Sequence, residues 1–216
     1  MPAGSVILKA ENITKKFDNK IIFRNISFTL SSGDSLAITG RNGSGKSTLI
    51  KILSGVLSAT DGRVTMNVDG CEVEHRNFYK YVGVASPYLH FYEEFTAREN
   101  LQIVCKIRSV SLKYADAVLR ETGLYNRCND PVKIYSSGMK QRLRLAFAIL
   151  TSPRVLLLDE PTSNLDIEGI QITEKIISAR KDSVTVIATN DIGEKNYCGM
   201  ELNLDSECTL RDNGKC

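Results

Sequence analysis

Several familiar features are missing from this chain, and each absence removes a class of function. No stretch of about 18 apolar residues occurs, so no membrane-spanning helix is expected. The six cysteines, Cys71, Cys105, Cys128, Cys198, Cys208 and Cys216, form no Cys-x-x-Cys pair. The two histidines, His75 and His90, stand far from any cysteine cluster, so no zinc site is expected. Scattered thiols in a chain of this size point to a reducing compartment. Charge of one sign is also lacking: 28 Lys and Arg against 25 Asp and Glu leave a net charge of +3. That is too little to argue for nucleic acid or an anionic membrane surface. The stretch Met1 to Ala10 has no charged leader followed by an apolar segment, so no signal peptide is expected. No internal repeat and no low-complexity linker is visible. What remains is an ordinary globular composition over 216 residues, enough for one large domain or two small ones.

The apolar pattern divides the chain. Ser5 to Ala10 and Ile21 to Leu30 read as β segments separated by a turn at Asp18-Asn19-Lys20. In the second, Ile26, Phe28 and Leu30 alternate with Ser27 and Thr29, as a half-buried strand does. Gly62 to Val68 and Tyr81 to Ala85 read as further strands. From about Pro87 to Thr151 the spacing becomes helical. Thr96 with Glu99 is a capping box opening a helix through Ile107; Leu112 to Gly123 and Ser136 to Leu150 predict two more. The runs Val155 to Leu158 and Val184 to Ala188 are continuously apolar, which fits parallel strands buried on both faces. The layout is an α/β core interrupted by a helical insertion.

Gly40-Arg41-Asn42-Gly43-Ser44-Gly45-Lys46-Ser47-Thr48 is the most informative stretch. It matches Gly-x4-Gly-Lys-Ser/Thr, between the short strand Ser35 to Thr39 and a helical segment Thr48 to Leu53. Chance would give the pattern in roughly one per cent of chains this long. The glycines let successive N–H groups point inward as an anion nest, and the helix adds its positive end. Lys46 would reach the β and γ phosphates and the Ser47 hydroxyl would ligate Mg²⁺. Downstream, Val155-Leu156-Leu157-Leu158-Asp159-Glu160 is an apolar strand ending in two acids. Asp159 at a buried strand tip suits the metal, and Glu160, one residue on, suits polarising the attacking water. The plainer alternative is an N-capping acid pair before Pro161.

Further motifs carry a family resemblance. Tyr135-Ser136-Ser137-Gly138-Met139-Lys140-Gln141-Arg142 precedes the acidic strand by about fifteen residues. It is similar to the signature motif of ATP-binding cassette (ABC) proteins, usually Leu-Ser-Gly-Gly-Gln, with Ser136 and Gly138 matching. Ser163-Asn164-Leu165-Asp166 resembles the D-loop of that family, and Thr96 to Leu101 the helix start after its Q-loop. The resemblance runs from Leu8 to about Leu210. It implies an α/β fold: a P-loop NTPase core with a mostly parallel sheet, an N-terminal antiparallel β subdomain and an inserted helical subdomain. The single cassette would comprise residues 1–86 and 152–216 as the nucleotide-binding core with its β subdomain, and 87–151 as the helical subdomain. The resemblance also implies ATP and Mg²⁺ as ligands, a transmembrane transporter subunit as partner, and a second cassette paired head to tail. Gly40 to Gly45 would cradle phosphates, with Ser136 and Gly138 closing on the nucleotide of the partner cassette and Asp166 tying the two together. Phe17 lies where the family places an aromatic that stacks on adenine; a core residue is the alternative. The expected place is the cytoplasmic face of a membrane, peripherally, with no nucleic acid bound.

Two family residues are missing. The strand Tyr81 to Ala85 is followed by Ser86-Pro87-Tyr88 with no Q-loop Gln, so Ser86 is the candidate metal or water ligand there. Asn190 stands where a switch histidine is usual. Its amide can donate to the γ phosphate but cannot become a cation, and a charged donor is worth roughly twice a neutral one. Slow hydrolysis is therefore expected. The basic residues Lys140, Arg142 and Arg144 read as a solvated helix face. The aromatic stretch Tyr88, Phe91, Tyr92 and Phe95 either faces the membrane subunit or packs the helical insertion. The leading reading is the ATP-hydrolysing subunit of an ABC transporter. The alternatives are a weakly hydrolysing nucleotide-gated subunit of a heteromeric complex, a non-transport ABC ATPase serving translation or DNA repair, and a P-loop kinase.

Overall fold

The computed structural model describes residues 4–18, 20–205 and 210–212. Asn19 of the expected first turn, and Cys208 and Cys216, lie outside the described residues.

Two sheets organise the molecule. Strands β1 (Val6–Phe17), β2 (Lys20–Ser31), β4 (Asp61–Val68) and β5 (Cys71–Val73) form an antiparallel sheet in the order β2-β1-β4-β5. The second sheet has the order β10-β9-β3-β8-β7-β6, from β3 (Ser35–Thr39), β6 (Val82–Ala85), β7 (Val155–Asp159), β8 (Val184–Ala188), β9 (Met200–Asn203) and β10 (Leu210–Asp212). Its pairs are parallel except for β9 with β10. A mostly parallel sheet beside an antiparallel one is the expected class. β1 runs seven residues past Ala10, where its expected end lay, because it bends rather than stops. Asn12 takes a left-handed backbone (φ 50°), and the register with β2 shifts between Ala10 and Ile13.

The apolar runs of the second sheet are indeed covered on both faces, and strand periodicity sorts them. Val155 and Leu157 of β7 face the core shared with the antiparallel sheet and α1 (Lys46–Leu53). Leu156 and Leu158 face the core shared with α2 (Ala97–Arg108), α3 (Lys113–Glu121) and α4 (Ser137–Ile149). β3 repeats the pattern: Leu36 and Ile38 on one side, Ala37 on the other. The capping box at α2 forms in both directions: Thr96 Oγ1 accepts from the Glu99 N–H (3.1 Å), and the Glu99 carboxylate accepts from the Thr96 N–H (2.8 Å). α3 stops before Gly123, whose φ of 69° suits glycine. α5 (Ile167–Ser178) and the short α6 (Ile192–Lys195) complete the core, each capped by an Asp, Asp166 and Asp191.

Candidate functional site

Four segments meet at the carboxyl ends of neighbouring parallel strands. The glycine loop follows β3, Ser86 follows β6, Asp159 ends β7 and Asn190 follows β8. That edge is where open α/β sheets bind ligands.

The loop is built around backbone only glycine takes easily. Gly40 (φ 139°) and Gly45 (φ 104°) are left-handed, and a Cβ on Gly45 would stand 2.4 Å from Ile22 Cγ2. A Cβ on Gly40 would stand 2.8 Å from Ser44 Oγ. Ser44 Oγ is buried with no hydrogen-bond partner, a polar atom the fold leaves for something else. The Lys46 side chain is buried, its Nζ donating to the carbonyls of Gly40 (2.7 Å) and Arg41 (3.3 Å). Gly43, Gly45, Lys46, Ser47 and Thr48 line a cleft of about 210 Å³, closed on other sides by Ile22, Tyr88 and Glu160. An unpartnered hydroxyl, a buried ammonium, glycine backbone and a helix N-terminus together suit a phosphate chain.

Asp159 sits against that helix start, only 3% exposed. Ser47 hydrogen-bonds its carboxylate, and Ser86 Oγ reaches it at 3.5 Å. Burial lifts its pKa above the usual carboxylate range. The Glu160 charge adds to the rise, while the two serines and the Lys46 ammonium oppose it. Two hydroxyls gathered on a desolvated carboxylate fit a small hard cation. The structure thus brings together Ser47, Asp159 and Ser86, the three candidate metal ligands. Glu160 lines the cleft with φ 50°, unusual for a residue with a side chain.

Asn190 and Asn42 meet, the Asn190 Nδ2 donating to Asn42 Oδ1 at 2.5 Å. The residue in the switch position is therefore tied to the phosphate loop itself, a pairing the sequence reading did not foresee. The Arg41 N–H donates to the Asp205 carboxylate at 2.6 Å. The Arg41 side chain leans outward toward the same acid. Phe17 is 46% exposed, which removes the core alternative, and its ring carries the Lys15 ammonium 4.8 Å from the centroid.

Ser136 and Gly138 do not line the cleft; they open α4. Ser136 Oγ accepts from the Met139 N–H at 3.2 Å. A Cβ on Gly138 would stand 2.9 Å from the Asn164 carbonyl oxygen, so glycine there also lets the loop after β7 approach the helix.

One expectation needs correction. Arg142 and Arg144 are not a solvated face. Both are partly buried, each has a buried Nε without a partner, and burial lowers the Arg144 pKa. The leucines, isoleucine and alanines of α4 sink it so deeply between β6 and its helical neighbours that its basic residues go in as well. The aromatic stretch splits rather than acting as one surface. Tyr88 lines the phosphate cleft with its ring 4.2 Å from Lys51 Nζ, and Phe91 packs on Phe147 at 5.3 Å. Tyr92 lines a separate apolar groove of about 360 Å³ between β6, α2 and α4.

A model of the family described as ABC transporter matches residues 23–163. The chain belongs to the ABC transporter family. It is similar to a lantibiotic transport ATP-binding protein of Streptococcus pyogenes, 35% identical over 187 residues covering 86% of this chain and 80% of that one. It is also similar to a bacitracin transport ATP-binding protein of Bacillus licheniformis, 34% identical and covering 87% of this chain and 62% of that one. Among solved structures it superposes on an ATP-binding subunit of an ABC transporter with TM-score 0.84 and 22% identity, covering 96% of this chain and 90% of that one. A second is the dimeric structure of an ATP-binding cassette bound to ADP and Pi, with TM-score 0.81 and 23% identity, covering 97% of this chain and all of that one. At these identities the superpositions carry the fold. The family membership carries the activity: this cassette is an ATP-binding subunit of an ABC transporter and an ATPase. Among the described residues no helix is long and apolar enough to cross a membrane. That its relatives are transport ATP-binding proteins and its neighbours include a cassette dimer implies membrane subunits and a second cassette as partners.

Proposed function

We propose that the cleft between α1 and the end of β7 takes Mg-ATP and hydrolyses it slowly. The observation that carries this reading is the convergence of Lys46, Ser47 and Glu160 on one glycine-built cleft, with Asp159 buried beside it and bonded to Ser47. In this assignment the loop N–H groups from Gly40 to Gly45, with Arg41, Asn42 and Ser44 between, hold the phosphates. Lys46 gives up its two loop carbonyls and turns its charge to the β and γ oxygens. Thr48 adds its backbone N–H in the first helical turn. Ser47, Asp159 and Ser86 hold magnesium, directly or through water. Magnesium, when bound, supplies the positive charge that neutralises the phosphate oxygens. Glu160 accepts a proton from the water attacking the γ phosphorus. The products are ADP and phosphate. Phe17 stacks on the adenine ring.

Hydrolysis is slow because Asn190 offers a neutral donor, and one of its N–H groups is already turned to Asn42. One oriented donor to developing charge is worth on the order of a hundredfold in rate. Phosphate release measured for wild type and Asn190→His in the assembled complex tests this. The histidine variant should be faster by about tenfold or more; an unchanged or lower rate would contradict it. A neutral amide at this position also favours the second reading, a weakly hydrolysing subunit paired with a competent cassette.

Division of labour follows the fold. Residues 1–86 and 152–216 carry the nucleotide, and 87–151 present the signature residues Ser136 and Gly138 to the partner cassette. The groove holding Tyr92 accepts the transmembrane subunit, which places the cassette peripherally on the cytoplasmic side of a membrane. Tyr92→Asp should weaken co-purification with that subunit while leaving ATP affinity within about twofold. Loss of both together would mean the residue serves packing instead.

A further inference from the structure

Glu160 takes a left-handed backbone at the site (φ 50°), and buried side chains hold the segment around it. Gln141 of α4 is 4% exposed. Its Nε2 donates to the Glu160 carbonyl at 2.9 Å and to the Pro161 carbonyl at 3.1 Å. Its Oε1 accepts from Arg144 Nη1 at 3.1 Å, which fixes which end of the amide faces the acidic segment. Arg144 in turn lies 5.8 Å from the centre of the Phe91 ring. On the other side of Glu160, its own N–H donates to the Ala188 carbonyl at 2.9 Å, and the Thr162 N–H donates to the buried Glu194 carboxylate at 2.6 Å. Glu160 is thus clasped from α4, from β8 and from α6 in a left-handed conformation that a residue with a side chain does not take freely.

We propose that Gln141, oriented by Arg144, is a positioning residue for the Glu160 carboxylate and couples the signature helix to it within the same chain. The proposal rests on the assignment of Glu160 as the proton acceptor made above. The backbone carbonyls of Glu160 and Pro161 set the direction in which the Glu160 side chain leaves the strand. α4 is continuous from its cap at Ser136 through Gln141, about five residues or 7.5 Å along the axis. A shift of the helix start as it meets the other cassette is therefore delivered to the Glu160 carbonyl as a rigid displacement. A misplacement on the order of 1 Å can cost about a hundredfold in rate. The clasp consequently acts on the rate of the chemical step and not on the holding of nucleotide, which is done from β3 and α1.

Single-turnover release of labelled phosphate and calorimetric ATP binding, for wild type, Gln141→Met, Glu160→Gln and the double variant, test the proposal. Gln141→Met keeps the length of the side chain and removes both donors. It should slow the chemical step by about tenfold to a hundredfold with ATP affinity within about twofold. In the Glu160→Gln background it should add no further loss, because it acts only through that carboxylate. Losses that multiply in the double variant, a rate unchanged by Gln141→Met, or rate and affinity falling together would each overturn the proposal. Arg144→Met, which frees the amide to rotate, should give a smaller loss with the same dependence on Glu160, and it carries the test if Gln141→Met does not fold. If Glu160→Gln alone leaves the rate at the wild-type level, the assignment of Glu160 fails and takes the proposal with it. That outcome is separable from failure of the Gln141 clasp, since it appears without any change at Gln141.

Discussion

Asp159 shows at the scale of one residue how a site can work against the fold that holds it. Burial raises its pKa above 3.8, so the folded chain holds that proton more tightly than the unfolded chain does. Stability therefore falls as pH rises from about 3.8 through the raised folded value, and stays reduced above it. In protein free of nucleotide and magnesium, Asp159→Asn should raise the unfolding free energy at pH 8 by about 0.5–2 kcal/mol while abolishing magnesium-dependent turnover. The gain should disappear as the pH falls below 4, where the wild-type carboxyl is neutral as well. Urea unfolding at the two pH values measures it; a less stable variant at pH 8 would show that the carboxylate is compensated in the fold. Single residues were also where the sequence was least legible. Lys46, Ser47, Asp159 and Glu160 could be named from their motifs because spacing encodes them. Gln141, Arg144 and Glu194 could not, since their partners lie 19 or more residues away or depend on how deeply a helix sinks.

Elements were legible where one physical signal dominated. β7 and β8 were readable because strands covered on both faces need unbroken apolar runs, and α2 because its capping box is local. α5 is not legible from its spacing, although it has the clearest kind of start, Asp166 accepting from the Gly169 N–H at 2.8 Å. In sequence Asp166 sits inside a loop motif, which masks its role as an N-cap. β9 is not legible because Met200 to Asn203 is four residues of mixed polarity, held in place by pairing with β3 and β10. Close packing between elements was invisible too. Gly83 in β6 looks like an ordinary small strand residue, yet a Cβ there would stand 1.9 Å from the Ala148 carbonyl oxygen of α4. Gly83→Ala must push strand and helix apart, and should destabilise by about 1–3 kcal/mol or prevent folding. A thermal midpoint equal to that of wild type would show that α4 can move away freely. Because α4 carries both Ser136 and Gln141, such a shift should also lower turnover.

At the scale of the whole molecule the two sheets and the helical layer serve one arrangement. The parallel sheet delivers four chemically distinct segments to one edge, and α1 leaves that edge with its positive end toward the cleft. The antiparallel sheet covers the opposite face of β3, β7 and β8 through Leu36, Leu157 and Val186, which fixes the strand tips that carry the loop and Asp159. The helical layer lies on the other face and contains the groove and the signature residues. Motif order along the chain made this plan readable in outline. The departures, Ser86 for a Gln and Asn190 for a His, were readable as departures, but the Asn190–Asn42 bond was not, because 148 residues separate the two. The central claim is that triphosphate lies in the glycine loop with its charge met by Lys46. Calorimetric titration of ATP with magnesium into wild type and Lys46→Ala tests it most directly. Wild type should bind, and the variant should lose about 2–4 kcal/mol of binding free energy with its fold intact by circular dichroism. No heat of uptake in wild type, or equal affinity in both, would contradict the account.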